Sequence, residues 1–180
     1  MMMTTKKKTL RSISVSVRQQ ITSPLSNLLV RFTTLWTTFR LSRPYPKRET
    51  NESLGAYGER LAATYLQRKG YLILERSFRV QSGEIDLIAL WQRRVVVFVE
   101  VKTWGASWDD AGGPSDAVDQ KKQEKISRVA VLYMKRHRLL EVSGRADVIE
   151  IIAPNRDEKR PTVRHFENAF EAVGKFQMFT

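Results

Sequence analysis

Asp86, Glu100 and Lys102 are the residues of this 180-residue chain whose types and spacing could do chemistry. They lie in the stretch Gly83 to Lys102, Gly-Glu-Ile-Asp-Leu-Ile-Ala-Leu-Trp-Gln-Arg-Arg-Val-Val-Val-Phe-Val-Glu-Val-Lys, where β-branched and aromatic residues otherwise dominate. Two carboxylates beside a run as apolar as Val95 to Val99 are costly unless something positive compensates them. The natural partner is a hard divalent cation, Mg²⁺ with Mn²⁺ as a substitute, which takes oxygen ligands and keeps several waters. An ammonium two residues beyond Glu100 can then orient an attacking water or neutralise charge developing on a phosphate. The pattern outlines a hydrolytic phosphodiester site; the competing reading is a structural ion-pair cluster on a solvated face.

The elements that must position these groups are two strands, Glu84 to about Trp91 and about Arg94 to Lys102. Alternation puts Glu84, Asp86, Ile88 and Leu90 on one face of the first and Ile85, Leu87 and Ala89 on the other. Val96, Phe98, Glu100 and Lys102 share a face of the second. A turn centred on Arg93 pairs Trp91 with Val95 and sets Asp86 opposite Glu100, bringing both acids and the lysine to one face.

Before this hairpin, Asn51 or Ser53 can cap a helix that ends near Lys69, with Gly70 as its stop. Glu59 lies along the edge of its apolar stripe (Leu54, Tyr57, Leu61, Ala62, Tyr65, Leu66), and Gly55 and Gly58 permit close approach to the sheet. Glu59 could reach the metal site or be an exposed acid. Tyr71 to Val80 reads as a strand, and Gln81-Ser-Gly as the turn into the hairpin.

After Lys102, Thr103 to Pro114 reads as a long loop beside the site, with Trp104 and Trp108 able to stack on bases or to anchor the loop. Ser115 or Asp116 caps a second helix to about Arg138. Lys122 falls on its apolar stripe with Val118, Ile126, Val129, Ala130 and Tyr133, which suits a phosphate or the acidic cluster, or a stem lying along the core edge. Arg145 to Ala153 reads as a strand in which Arg145 and Asp147 pair with each other, and Thr162 to about Phe166 as a final short strand. The fold class expected is α/β, a central mixed sheet of about five strands flanked by helices in the order α-β-β-β-α-β-β.

Ten of the 31 Lys and Arg residues fall within residues 1–48, which hold no acid, so 21 remain against all 19 Asp and Glu. The net charge of +12 is therefore a property of the N-terminal segment and not evidence that the folded part binds nucleic acid. Residues 1–48 have the Ser/Thr/Arg-rich composition of an organelle transit peptide or a disordered basic arm. Leu25, Leu28, Leu29, Phe32, Leu35, Trp36 and Phe39 give part of that segment an amphipathic helical stripe. Arg31 and Arg40 interrupt any span long enough to cross a membrane, so no stable insertion is expected. Residues 49–180 form the second unit. The absence of cysteine excludes disulfides and thiolate chemistry, and two distant histidines make a histidine-based zinc site a poor fit.

The motifs Gly55-x-x-Gly58-Glu59-x-x-Ala62, Gly83-Glu-Ile-Asp-Leu-Ile, Phe98-Val-Glu-Val-Lys, Lys122-Gln, Arg145-Ala-Asp-Val and His165-Phe-Glu-Asn-Ala-Phe resemble the YraN family of bacterial proteins over about residues 53 to 172. That family in turn resembles the restriction-endonuclease-like superfamily, with its (Asp)…(Asp/Glu)-x-Lys signature, and the core of archaeal Holliday-junction resolvases. The resemblance implies that Asp86 and Glu100 bind Mg²⁺, that Lys102 assists the nucleophilic water and that Glu59 supplies a helix-borne acid. The family commonly carries an arginine shortly after Glu-Val-Lys, where this chain has Trp104. The expected activity is a metal-dependent nuclease on DNA, branched or otherwise structured DNA included, in the bacterial cytoplasm, or in an organelle if residues 1–48 act as a transit peptide. The alternatives are a nucleic-acid-binding module without catalysis and a pure interaction protein; a homodimer is compatible with any of them.

Overall fold

The computed structural model describes residues 43–105, 118–153 and 160–171. The N-terminal segment up to residue 42, with its amphipathic stripe, lies outside the described residues, as do Trp108 and the rest of the segment 106–117.

Helix α1 spans Leu54–Lys69, then come β1 (Leu72–Val80), β2 (Gly83–Trp91), β3 (Val95–Trp104), α2 (Gln120–His137), β4 (Ser143–Ile152) and β5 (Thr162–Phe170). The element order is the one expected from the sequence. The strands form one sheet in the order β1-β2-β3-β4-β5. Neighbours run antiparallel except β3 and β4, which are parallel because α2 makes the crossover between them.

The sheet is mixed and covered on both faces. Phe78, Ile85, Ile88, Leu90, Val96, Phe98 and Val148 pack beneath Ile126, Val129, Ala130 and Tyr133 of α2. Leu87, Ala89, Val97, Val99, Ile149 and Ile151 pack beneath Tyr57, Leu61, Ala62 and Leu66 of α1. Burial on both faces explains why β3 and β4 read as nearly continuous apolar runs.

Local chemistry sets the ends. The Ser53 side chain accepts from Ala56 N–H at the start of α1, and Gly70 ends it in the left-handed conformation. The cap of α2 is Asp119, whose carboxylate accepts from Lys122 N–H at 2.8 Å, and not Ser115 or Asp116. Val118 therefore belongs to the core without belonging to the helix. Two further expectations are corrected. β3 continues through Thr103 to Trp104, so Trp104 ends a strand, its carbonyl accepting from Ala153 N–H. β5 extends to Phe170, because a register shift between Ala146 and Val148 lets Ala146 pair with Phe170.

Candidate active site

The β2–β3 hairpin has the register the sequence predicts: Trp91 pairs with Val95 and the ladder runs to Leu87 opposite Val99. Gln92 and Arg93 take positive φ to close the turn. Asp86 and Glu100 come next on the two strands, just past the last ladder pair. There the strict alternation expected for β2 fails, since Ile85 joins Ile88 and Leu90 in the α2-side core while Leu87 faces α1. The cause lies in β1. The pairs Arg76–Leu87 and Phe78–Ile85 bracket Ser77, which has φ of +47°, so a left-handed residue stands across from Asp86 and the ribbon twists locally. Asp86 Oδ2 accepts from Val101 N–H at 2.8 Å, and the carboxylate fastens the two strands where their ladder ends.

Glu100 is only 4% exposed. Its Oε1 receives two ammonium groups, Lys102 at 3.1 Å from its own strand and Lys122 at 3.0 Å from α2. Its Oε2 is buried and has no hydrogen-bond partner. A buried carboxylate oxygen left without a donor is costly, and it presents a lone pair to a cation. Lys122 thus comes inward as its stripe position predicts. Burial, the largest single influence, works against its charge, yet the surrounding carboxylates, Glu100 first and then Asp86 and Glu84, together outweigh it and hold the ammonium above its ordinary pKa.

Burial, and after it the neighbouring Glu100 carboxylate, push the Asp86 carboxyl from its usual 3.8 up to about 7, against the pull of the Val101 N–H and of Lys122. Two acids crowded in this way want a counter-charge beyond the two lysines. Asp86 and Glu100 Oε2 are the oxygens that could hold Mg²⁺. Among the described residues no group of three or more His, Cys, Asp or Glu forms a full metal-ligand set. Two carboxylates with the remaining positions left to water and a phosphate fit Mg²⁺, which dehydrates reluctantly.

Glu59 is half-buried on α1, where its Oε2 accepts from Ser77 Oγ at 3.1 Å. It touches the residue across from Asp86, and its charge contributes to raising the Asp86 pKa. Gly58 beside it allows the close approach: an added Cβ would meet Thr103 Oγ1 at 1.7 Å. Gly55 does not, because nothing lies within 4 Å of the corresponding position. Trp104, two residues past Lys102, is 37% exposed.

A family model, Uncharacterised protein family UPF0102, matches residues 58–151. A UPF0102 protein of Rhodopirellula baltica is 49% identical over 128 residues, which cover 70% of this chain and 75% of its own length. One from Trichlorobacter lovleyi is 41% identical over 121 residues, 67% of this chain and 92% of its own length. One from Caldanaerobacter subterraneus is 41% identical over 124 residues, 69% and 99% of the two chains. The chain belongs to the UPF0102 family. This is the YraN family that the sequence motifs resemble. The family match begins at Gly58, so none of residues 1–48 is part of it.

A second polar cluster lies on the opposite face of the sheet, the face that carries Ile149 and Ile151. Asp147, its side chain 0% exposed, forms an ion pair with Arg145 at 3.0 Å and meets His165 Nε2 at 2.8 Å. Its Oδ1 also accepts from Asn168 N–H at 2.9 Å, at a residue with φ of +51°. The expected Arg145–Asp147 pair is present, and His165 and the β5 backbone join it. Arg145 further donates to Tyr71 Oη at 2.7 Å and pairs with Glu167 at 2.8 Å. This network fixes β5 on β4.

Sequence reasoning missed Glu150. It is 4% exposed, sits opposite Lys102 in the β3–β4 ladder and opposite Arg164 in the β4–β5 ladder. A row Lys102–Glu150–Arg164 therefore continues the candidate site across three strands. The signal was available, since Glu150 is an acid inside the apolar run Val148 to Ile152.

Proposed function

We propose that the protein is a Mg²⁺-dependent nuclease that hydrolyses phosphodiester bonds in DNA, branched or otherwise structured DNA included. The observation that carries the reading is Glu100 Oε2, a buried carboxylate oxygen with no hydrogen-bond partner, on a side chain near enough to Asp86 to raise the pKa of its carboxyl. Asp86 and Glu100 would hold the ion. When bound, Mg²⁺ supplies a Lewis acid for the phosphoryl oxygens and lowers the pKa of water. Lys102, about a third exposed, can turn from Glu100 toward a phosphate and neutralise charge that builds on its oxygens in the transition state. Lys122 keeps Glu100 ionised and in place from α2. Glu59, through Ser77, buttresses the strand opposite Asp86. Water is held off on one side by the Phe98 and Ile126 core.

A second reading has its own observation. Both lysines are engaged on the same Glu100 oxygen, which is the arrangement of a self-neutralised cluster in a nucleic-acid-binding module without catalysis. Fold and signature residues alone do not decide activity. In either reading nucleic acid is the partner, and we place the protein in the cytoplasm of a bacterial cell, as the bacterial relatives favour. Among the described residues no helix is long and apolar enough to cross a membrane.

Incubating branched and linear DNA with the protein and Mg²⁺, against Lys102→Ala and Asp86→Asn, separates the readings. Cleavage by the wild type that both substitutions abolish supports the nuclease. Binding without cleavage in all three proteins assigns the module.

A further inference from the structure

Beside the carboxylate pair, a cleft of about 330 Å³ opens between the β1–β2 turn and the first turns of α2. Arg79, Lys122 and Lys125 line it together with a single acid, Glu84. That acid is already matched, since Arg79 Nε stands 2.8 Å from Glu84 Oε2, and Lys122 is engaged by Glu100, so Lys125 is the cleft's surplus of charge. Gly83 gives the cleft its shape. It has φ of +149°, and an added Cβ would come within 3.3 Å of Val129 Cγ2, so β2 enters the sheet pressed against α2. Lys122 belongs to both places, lining the cleft while its ammonium reaches Glu100 Oε1 at 3.0 Å.

One surplus lysine beside two cations already paired within the protein leaves the wall positive and favours an anion, and Arg79, 73% exposed, can turn its planar fork from Glu84 to a phosphate. The volume exceeds the needs of a bare phosphate and falls at the lower end of small-ligand sites, about 300 Å³ upward. Val80 and the aliphatic stems of Arg79 and Lys125 offer the apolar surface that a sugar and base require. We propose that this cleft is a nucleotide-binding subsite, which takes the phosphate and nucleoside adjoining the phosphodiester at Asp86, Glu100 and Lys102. The inference rests on the nuclease reading for its neighbour, but the subsite itself needs only binding. The shared chemistry is a nucleoside monophosphate unit, free or within a strand.

The test uses the full chain in EDTA, where no metal-dependent hydrolysis occurs, with a fluorescent single-stranded DNA oligonucleotide as probe. Lys125→Ala and Arg79→Ala are each expected to weaken binding by about three- to tenfold and to reduce the salt dependence by roughly one phosphate contact. Arg128→Ala, an exposed α2 position outside the cleft lining, should leave both unchanged. The basic N-terminal segment is present in every variant, so the readout is the difference between them. A deoxynucleoside monophosphate that competes on the wild type and not on the double variant Arg79→Ala with Lys125→Ala places a free unit in the cleft. Loss of oligonucleotide affinity in the double variant with no such competition restricts the subsite to units within a strand. Inorganic phosphate competing as well as the mononucleotide, or Arg128→Ala weakening binding as much as Lys125→Ala, overturns the proposal. Cleavage measured separately with Mg²⁺ keeps the two ideas apart. An inactive wild type whose cleft variants lose affinity defeats only the nuclease reading; an active one whose cleft variants bind normally defeats only the subsite.

Discussion

Lys122 stands 3.0 Å from the Glu100 oxygen that Lys102 reaches at 3.1 Å, so one buried carboxylate ties β3 to the start of α2. Neither lysine is buried as deeply as the acid: their side chains are 32% and 30% exposed, against 4% for Glu100. Each ammonium can therefore leave for water or phosphate, while Glu100 cannot follow. The geometry separates a fixed anion from two movable cations.

A double-mutant cycle on stability should show this shared duty. Lys102→Ala or Lys122→Ala alone is expected to cost about 1 kcal/mol, since the other lysine still compensates Glu100 and both are partly solvated. Removing both leaves a buried carboxylate without a cation, a loss of about 3–5 kcal/mol by analogy with broken buried pairs. Urea unfolding of the four proteins measures the coupling, and strictly additive losses would show that the lysines act independently.

The parts legible in the sequence were those set by local pattern. The hairpin register followed from the Arg93 turn and the apolar alternation, and the inward place of Lys122 followed from its spacing to Ile126 and Val129. The break in alternation at Asp86 was not legible, because its cause is Ser77, a left-handed residue in the partner strand with no glycine or asparagine to announce it. The extension of β5 was hidden too, although there an asparagine stands at the turn. Asn168 turns left-handed where Asp147, a residue on another strand, receives its N–H. In both places an aspartate binds the backbone N–H of a neighbouring strand where regular pairing ends or shifts, a tertiary event that window-based reading does not contain.

The pH dependence of stability should carry the mark of Asp86. With a folded pKa of about 7 and an unfolded value near that of a free aspartate, the folded state keeps a proton the unfolded state has lost. Stability from this group is therefore greatest at low pH and falls as pH rises from about 4 to about 7, then levels off. Other carboxylates titrate in the same range, so the readout is the difference between wild type and Asp86→Asn, whose amide oxygen can still accept from Val101 N–H. That difference should shift in favour of the variant by an amount on the order of a few kcal/mol across the window. Millimolar Mg²⁺ should flatten the wild-type decline if the ion binds the ionised pair. A difference independent of pH would remove the case for a crowded acid.

Asp147→Asn should be among the most destabilising single changes in the domain. It leaves the Arg145 guanidinium, whose side chain is 18% exposed, with Glu167 as its remaining carboxylate, and it weakens the hold on the Asn168 turn. The expected loss is about 3 kcal/mol. Tyr71→Phe, which removes only the phenol oxygen that Arg145 contacts, should cost about 1 kcal/mol. Hydrogen exchange adds a spatial check: amides of β5 should lose protection before those of β2 and β3 in the Asp147 variant. Uniform loss across the sheet would mean that the network does not act by docking β5.

Gly58→Ala tests the contact between α1 and the end of β3 that carries Lys102. The added methyl would lie 1.7 Å from Thr103 Oγ1, and rotating Thr103 does not clear it, because Cγ2 and Cβ stand at 2.6 and 2.7 Å. Backbone must move, at a cost of about 1–3 kcal/mol or more, outweighing the gain in helix propensity of about 1 kcal/mol that alanine offers over glycine. Adding Thr103→Ala should return only part of the loss, since its Cβ remains in the way. Gly55→Ala is the control: nothing lies within 4 Å of its added carbon, so the same propensity gain should appear there as a small stabilisation. Thermal unfolding of the four proteins distinguishes the cases. Equal behaviour of Gly55→Ala and Gly58→Ala would show that α1 does not approach β3 this closely in solution, and with it that Glu59 is not held against the strand opposite Asp86.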